Sequence, residues 1–266
     1  MTRFRLWALA PTRFITVAKK VLGLPTLLLL CLVLFGWSLP AQAASRISPR
    51  MQEQVLQIIR EHPEVIMESV LTYQQQQRQQ LQQAQQSFLQ EFKANPQGVI
   101  GASPTTGAPE SKIVLLEFSD FECPYCAEAH KTLKQLVANH QGEVKLVFKN
   151  VPLTQIHNQA LAAAKAAWAA GQQGKFWEYH DALFTQQNKL GEELYVATAQ
   201  TLNLNLEQFN QDRNGNAAIA AIEQDIQMAQ MLGITGTPFF VMKGETFVGA
   251  LQLADIESRL ASVSKL

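Results

Sequence analysis

Two cysteines separated by a proline and a tyrosine, Cys123-Pro124-Tyr125-Cys126, are the residues of this chain best suited to do chemistry. A thiolate is a nucleophile, and a second thiol three residues on lies within one helical turn. Such a pair can open a disulfide, hold it as a mixed disulfide and resolve it. Position assigns the order. Ile113-Val114-Leu115-Leu116-Glu117-Phe118 reads as a short apolar strand, and Pro124 to Asn139 reads as a helix with Leu133, Leu136 and Val137 inward. Cys123 then stands at a helix N-terminus, where unpaired N–H groups and the helix dipole favour an anion. Cys123 is therefore expected to be the nucleophile and Cys126 the resolving thiol. Pro124 fits the first helical position, because its missing N–H would have no helical partner there.

Two blander uses of the pair are weaker. A disulfide spanning two residues restricts the unfolded chain only slightly, so it makes a poor staple. A metal centre would need two further ligands. His130 follows Cys126 by four residues on the same helical face, but no second C-x-x-C and no H-x-x-x-H accompanies it. No metal and no cofactor is expected. A non-catalytic copper- or substrate-binding module is the alternative use of the same pair; alkylation of the reduced protein with and without Cu(I), beside an insulin-reduction assay, separates the two.

The elements that must position the pair follow from periodicity. Glu143 to Phe148 is a second strand; helical stretches run over His157 to Gln172, Lys175 to Phe184, Glu192 to Leu202 and Leu206 to Leu232, the last broken near Asn214-Gly215. Phe239 to Met242 and Thr246 to Val248 make a hairpin about Lys243-Gly244-Glu245, and Ala254 to Val263 closes as a helix. Strand, helix, strand, inserted helices, hairpin, helix is an α/β order with a mixed sheet.

Upstream, Ser48-Pro49 is a helix start, with Val55, Leu56, Ile58 and Ile59 as its apolar face and Pro63 as its break. Beyond Pro63, Ile66, Val70, Tyr73, Gln77, Leu81, Ala84, Phe88 and Phe92 recur at helical spacing, yet eleven of the seventeen residues from Gln74 to Gln90 are glutamine. A long helix with so thin a stripe is a stalk packed on a partner copy, an arm lying on its own domain, or a frayed spacer. The first reading predicts a homo-oligomer, dimer or trimer. The expected organisation is a leader over 1–43, this arm over 44–94, a Pro- and Gly-rich linker over 95–110 and the α/β domain over 111–266.

The leader sets the compartment. Residues 21–37 are apolar, follow a basic stretch and precede Ala41-Gln42-Ala43, an A-x-A pattern. It reads as a secretory signal cleaved after Ala43, or as an uncleaved anchor interrupted by Gly23, Pro25 and Gly36. Either way residues after 44 are exported, to the periplasm or the outer face of the cell envelope, and Cys31 stays in the apolar run. Five of the chain's 22 basic residues lie in that leader, which has no acid, so the body carries 17 basic against 22 acidic residues, net −5. A mildly acidic body argues against nucleic acid as a partner.

The run Glu117-Phe118-Ser119-Asp120-Phe121-Glu122-Cys123-Pro124-Tyr125-Cys126 resembles the active-site strand and helix start of the DsbA-like thioltransferases of the thioredoxin superfamily. Gly236-Thr237-Pro238-Phe239-Phe240 resembles that family's second signature, and His157-Asn158-Gln159-Ala160 with Gly174 to His180 looks like its inserted helical domain. The resemblance covers about residues 98–266. It implies a thioredoxin fold with a helical insertion at about 156–232 and a protein-disulfide oxidoreductase or isomerase acting on unfolded or misoxidised secreted proteins, with a membrane redox partner. Pro238 would be a cis-proline against the redox pair, and Thr237 would offer its backbone to an extended substrate strand. Pro124 and Tyr125 would complete the substrate-binding rim. Glu117 matches the family's buried acid, placed to relay a proton to or from Cys126. His157 and His180 are expected to shape the insertion, and Asp120 and Glu122 to keep the rim soluble. Strongly oxidising members carry histidine between the cysteines; Pro-Tyr here leaves the direction of electron flow open. The arm, with His62-Pro63-Glu64-Val65-Ile66, resembles the oligomerisation segment of envelope isomerases related to ScsC.

Overall fold

The computed structural model describes residues 48–263 apart from Lys112 and Leu251. The leader, and with it Cys31 and the expected cleavage site, lies outside the described residues. No helix among the described residues is long and apolar enough to cross a membrane.

Five strands form one mixed sheet in the order β1-β3-β2-β4-β5, where β1 is Thr105–Gly107, β2 Ile113–Ser119, β3 Val144–Asn150, β4 Phe239–Met242 and β5 Glu245–Val248. β2 pairs parallel with β3 and antiparallel with β4, so it lies at the sheet centre, and all seven of its residues are buried. A strand covered on both faces needs apolar side chains throughout, which is why it reads as an unbroken run. On one face Leu115 and Leu146 pack with Leu133 and Leu136 of α4 (Pro124–Asn139) and with Ile256 and Leu260 of α10 (Leu253–Val263). On the other, Leu116, Phe118 and Val241 meet Phe92, Ile100, Ala229 and Leu232.

Between β3 and β4 the chain makes five helices: α5 (Ala160–Gln172), α6 (Phe176–Thr185), α7 (Glu192–Thr201), α8 (Leu206–Asn214) and α9 (Asn216–Met231). Alanines of α5 let neighbouring helices approach closely, and Phe121 and both cysteines share their cluster. The break expected near Asn214-Gly215 is the α8–α9 junction.

The expected linker over 95–110 is instead folded. Asn95 Oδ1 accepts the N–H of Gly98 at 3.1 Å and caps α3 (Pro96–Ile100), whose Val99 and Ile100 are buried. Thr105 to Gly107 then pair with β3 as an edge strand. The prolines and glycines that read as a linker are cap and bend residues here. Gly107, at φ +85, passes so close to β3 that a Cβ would lie 2.3 Å from Val144 O. The domain therefore begins earlier than 111.

The arm contains α1 (Pro49–Glu61) and the start of α2 (Pro63–Ala94). Of the described residues, those up to 68 form one unit and those from 69 another, and α1 buries no residue. Later in α2, Gln85 Nε2 donates to Leu232 O at 2.7 Å, while Phe88, Leu89 and the buried Phe92 join the core beside Leu232. The end of the arm belongs to the domain, which moves that boundary well before residue 94.

Candidate active site

β2 and β4 run antiparallel with Phe118 opposite Phe239, so the chain leaving β2 towards Cys123 lies beside the chain entering β4 from Pro238. Register alone brings the two signature segments together. The Thr237–Pro238 bond is cis, the geometry the resemblance implies, and Cys123 Sγ lies 3.4 Å from Thr237 O. Gly236 and Pro238 flank a threonine whose Oγ1 is buried without a partner, a hydroxyl available to the sulfur.

The two thiols have opposite surroundings. Cys123 caps α4 with extended backbone, and its pKa is lowered to about 5 by the Cys126 thiol, with further help from Thr237 and the N–H groups of Cys126 and Tyr125, against the cost of burial. Cys126 is fully buried; burial first, and the neighbouring Cys123 second, push its thiol far above the ordinary range. The N–H of Asp120 approaches Cys126 Sγ at 3.5 Å. These surroundings favour a thiolate at Cys123 and a protonated thiol at Cys126 near neutral pH. Tyr125, 64% exposed, and Pro124 stand on the open side of the pair, and Pro238 is buried behind it.

Glu117, 1% exposed, is on the same face of β2 as Ser119, whose side chain neighbours both Glu117 and Cys126. Burial pushes its carboxyl up to about 7, and Oε1 has no hydrogen-bond partner.

Three residues hold the loop before α4 in ways the sequence reading missed or misread. Asp120 does not solvate the rim: it is buried, its Oδ1 accepts the N–H of Glu122 at 2.8 Å, and its Oδ2 takes the N–H of Leu153 at 2.8 Å and faces His157 Nδ1 at 2.7 Å. Glu122 likewise accepts the N–H of Gln159. Loop N–H groups drawn into the interior need acceptors, and these carboxylates supply them. Gln187, in a single turn after α6, donates to the carbonyls of Phe121 and Cys123, both at 2.8 Å. No spacing announces it, because it lies over sixty residues from the loop it pins. His180 is buried in a ring of Phe121, Phe148, Phe176, Trp177 and Phe184, which does shape the insertion.

Among known proteins, a thioredoxin-like oxidoreductase from Silicibacter pomeroyi DSS-3 superposes with a TM-score of 0.60 at 30% identity, covering 65% of this chain and 99% of that one. ScsC of Proteus mirabilis, in a transitional conformation, superposes with a TM-score of 0.59 over 82% of this chain and 95% of that one; at 20% identity this is a likeness of fold. A Na(+)/H(+) antiporter NhaA 3 of Salinispora tropica is 35% identical over 159 residues, 59% of this chain. The chain spans about a quarter of the length of the curated relatives it matches. A family model described as thioredoxin matches residues 100–261, from α3 through the redox pair and the cis-proline to α10, and so takes in the edge strand as well as the site. With fold, paired cysteines and sequence in agreement over that span, the chain belongs to the thioredoxin family.

Proposed function

We propose that the chain is a cell-envelope protein thiol–disulfide oxidoreductase working through Cys123 and Cys126. The observation that carries the reading is a stabilised thiolate at an uncapped helix start, facing the Thr237 backbone. Acting as a reductant, Cys123 S⁻ attacks a substrate disulfide, a mixed disulfide forms and one substrate thiolate leaves. Cys126, losing its proton to a base, then attacks Cys123 Sγ and releases the second thiolate, so two electrons pass to the substrate and the pair ends as a disulfide. The same steps reversed oxidise a substrate dithiol. Glu117 is the base within the fold for the Cys126 proton, and the Thr237 backbone, beside Cys123 Sγ, receives an extended substrate strand. The compartment rests on the leader's pattern and the substrates are secreted proteins; a membrane protein resets the pair.

Isomerisation is favoured over simple oxidation by one observation: Met51, Val55, Ile58, Ile59 of α1 and Val65, Met67, Leu71, Tyr73 of α2 are exposed. Apolar residues repeated along a helix bury against a second copy, and an oligomer sets several redox pairs around one substrate. Insulin reduction, recovery of scrambled ribonuclease and light scattering test the two levels separately. The expected result is activity in both assays from a dimer or trimer. Removal of residues 48–78, which stops short of the docked segment from Leu81, should leave a folded monomer that reduces insulin and reshuffles poorly. A monomeric full chain would favour an oxidase; no insulin reduction from any form would sink the thiol–disulfide reading.

A further inference from the structure

One turn beyond Cys126 on α4, His130 faces titratable groups that thiol exchange does not use. Its Nε2 lies 3.6 Å from Asp181 Oδ1, and the same oxygen lies 3.3 Å from His180 Nδ1 on α6. One ligand atom from each of the three residues falls within 4.8 Å of the other two. These separations are long for N–H···O hydrogen bonds, whose usual range is about 2.7–3.2 Å. They match the edges of a tetrahedron around zinc, roughly 3.3–3.5 Å when metal–nitrogen and metal–oxygen distances are about 2.0–2.2 Å.

A second observation points into the same place. Glu117, His130, His180 and Asp181 together line a cavity of about 150 Å3, room for an ion and its water. Into it faces Glu117, 1% exposed with Oε1 unpartnered. The resident cation is the exposed Lys134, whose Nζ contacts Asp181 Oδ2 and can swing away into solvent.

We propose that His130, His180 and Asp181 bind one divalent transition-metal ion of the zinc class, with a water in the fourth position towards Glu117. Two imidazoles and one carboxylate suit zinc better than magnesium or calcium, which prefer an all-oxygen shell. The ligands come from two helices fifty residues apart in sequence, which is why the absence of an H-x-x-x-H spacing said nothing about them.

The probe is Co(II), added to the purified chain with Cys123 and Cys126 oxidised so that the thiols cannot compete. One equivalent should bind with the visible absorption of four-coordinate Co(II), and Zn(II) should displace it. Asp181→Asn and His130→Gln should each weaken binding by roughly 10- to 100-fold. Lys134→Ala, at an exposed position, should tighten it several-fold by removing the competing ammonium. No absorption at millimolar Co(II) would overturn the site, and so would binding unchanged in both ligand variants, which would place the ion at an exposed pair such as His62 and Glu64. Loss of affinity in Lys134→Ala would overturn the part given to Asp181.

Discussion

Two helices of this chain begin with the same local grammar and end in opposite chemistry. At α1, Ser48 is the cap, in extended backbone at φ −61 and ψ 146, followed by Pro49. At α4, Cys123 is the cap, at φ −74 and ψ 122, followed by Pro124. Ser48 Oγ accepts the N–H of Met51 at 3.2 Å, which closes the helix end. Cys123 makes no side-chain capping bond, and the N–H groups of Tyr125 and Cys126 instead help to lower its pKa. A hydroxyl spends the helix terminus on stability, whereas a sulfur leaves it for a charge.

The most direct way to break the contrast is to make the second cap like the first. Cys123→Ser should abolish thiol–disulfide turnover while leaving the fold intact, because serine in that geometry is a normal cap. Cys126→Ser should retain an alkylatable nucleophile and accumulate mixed disulfides with substrates, visible on non-reducing gels. Full exchange by Cys123→Ser would mean that the helix start has no part in the chemistry.

The charge itself sharpens the comparison. With a pKa lowered to about 5, the rate at which reduced protein reacts with iodoacetamide should rise with a midpoint near pH 5 and be flat from pH 7 to 9. An ordinary thiol would give a midpoint at about 8.5. Because the folded state favours the ionised form, the stabilisation is present above the ordinary thiol value of about 8.5 and is lost as pH falls towards 5. The reduced chain should therefore gain stability over Cys123→Ala between pH 5 and 9, by urea denaturation. A midpoint above 8 would make the two helix starts electrically alike.

What could be read in advance divides along the same line. Caps, prolines and apolar runs are local signals, so α1, α4 and β2 were legible, and the spacing of Cys123 and Cys126 placed both at the start of α4. The stretch 95–110 was misread because glycine and proline report sharp backbone direction, which a capped helix and an edge strand need as much as a linker does. Asp120 was misread because a carboxylate beside an active site looks solvated until its N–H partners at Glu122 and Leu153 are known. Gln187 and the His130, His180 and Asp181 cluster were invisible, since each depends on how the insertion folds back over α4, a contact that no short spacing encodes.

Beneath the uncapped end, Glu117 gives a smaller and opposite pH effect. Burial raises its carboxyl from 4.5 to about 7, so the folded state prefers the proton. That stability is fully present below pH 4.5 and is lost as pH rises through 7. Glu117→Gln should be more stable than the parent at pH 8, by at most about 3.4 kcal/mol on the conversion of 1.36 kcal/mol per pKa unit, with no advantage at pH 4.5. Turnover should slow at the step in which Cys126 attacks, seen as longer-lived mixed disulfides. Equal stability differences at both pH values would show that Glu117 does not titrate in this range.

The smallest effect belongs to the closed helix end. Ser48→Ala removes the hydroxyl that accepts the Met51 N–H and should cost α1 about 1 kcal/mol, the usual worth of a serine cap. Since α1 buries none of its own residues, that cost has no core to absorb it. It should appear as roughly fivefold faster amide exchange over 49–61, the change that about 1 kcal/mol produces at room temperature. If α1 packs in an oligomer, the same variant should also raise the dissociation constant between copies. Iodoacetamide reactivity at Cys123 should stay the same, because the two caps act on different helices and share no partner. An altered Cys123 reaction rate in Ser48→Ala would show that the closed end and the open end are coupled, and the contrast between them would have to be replaced by a single shared mechanism.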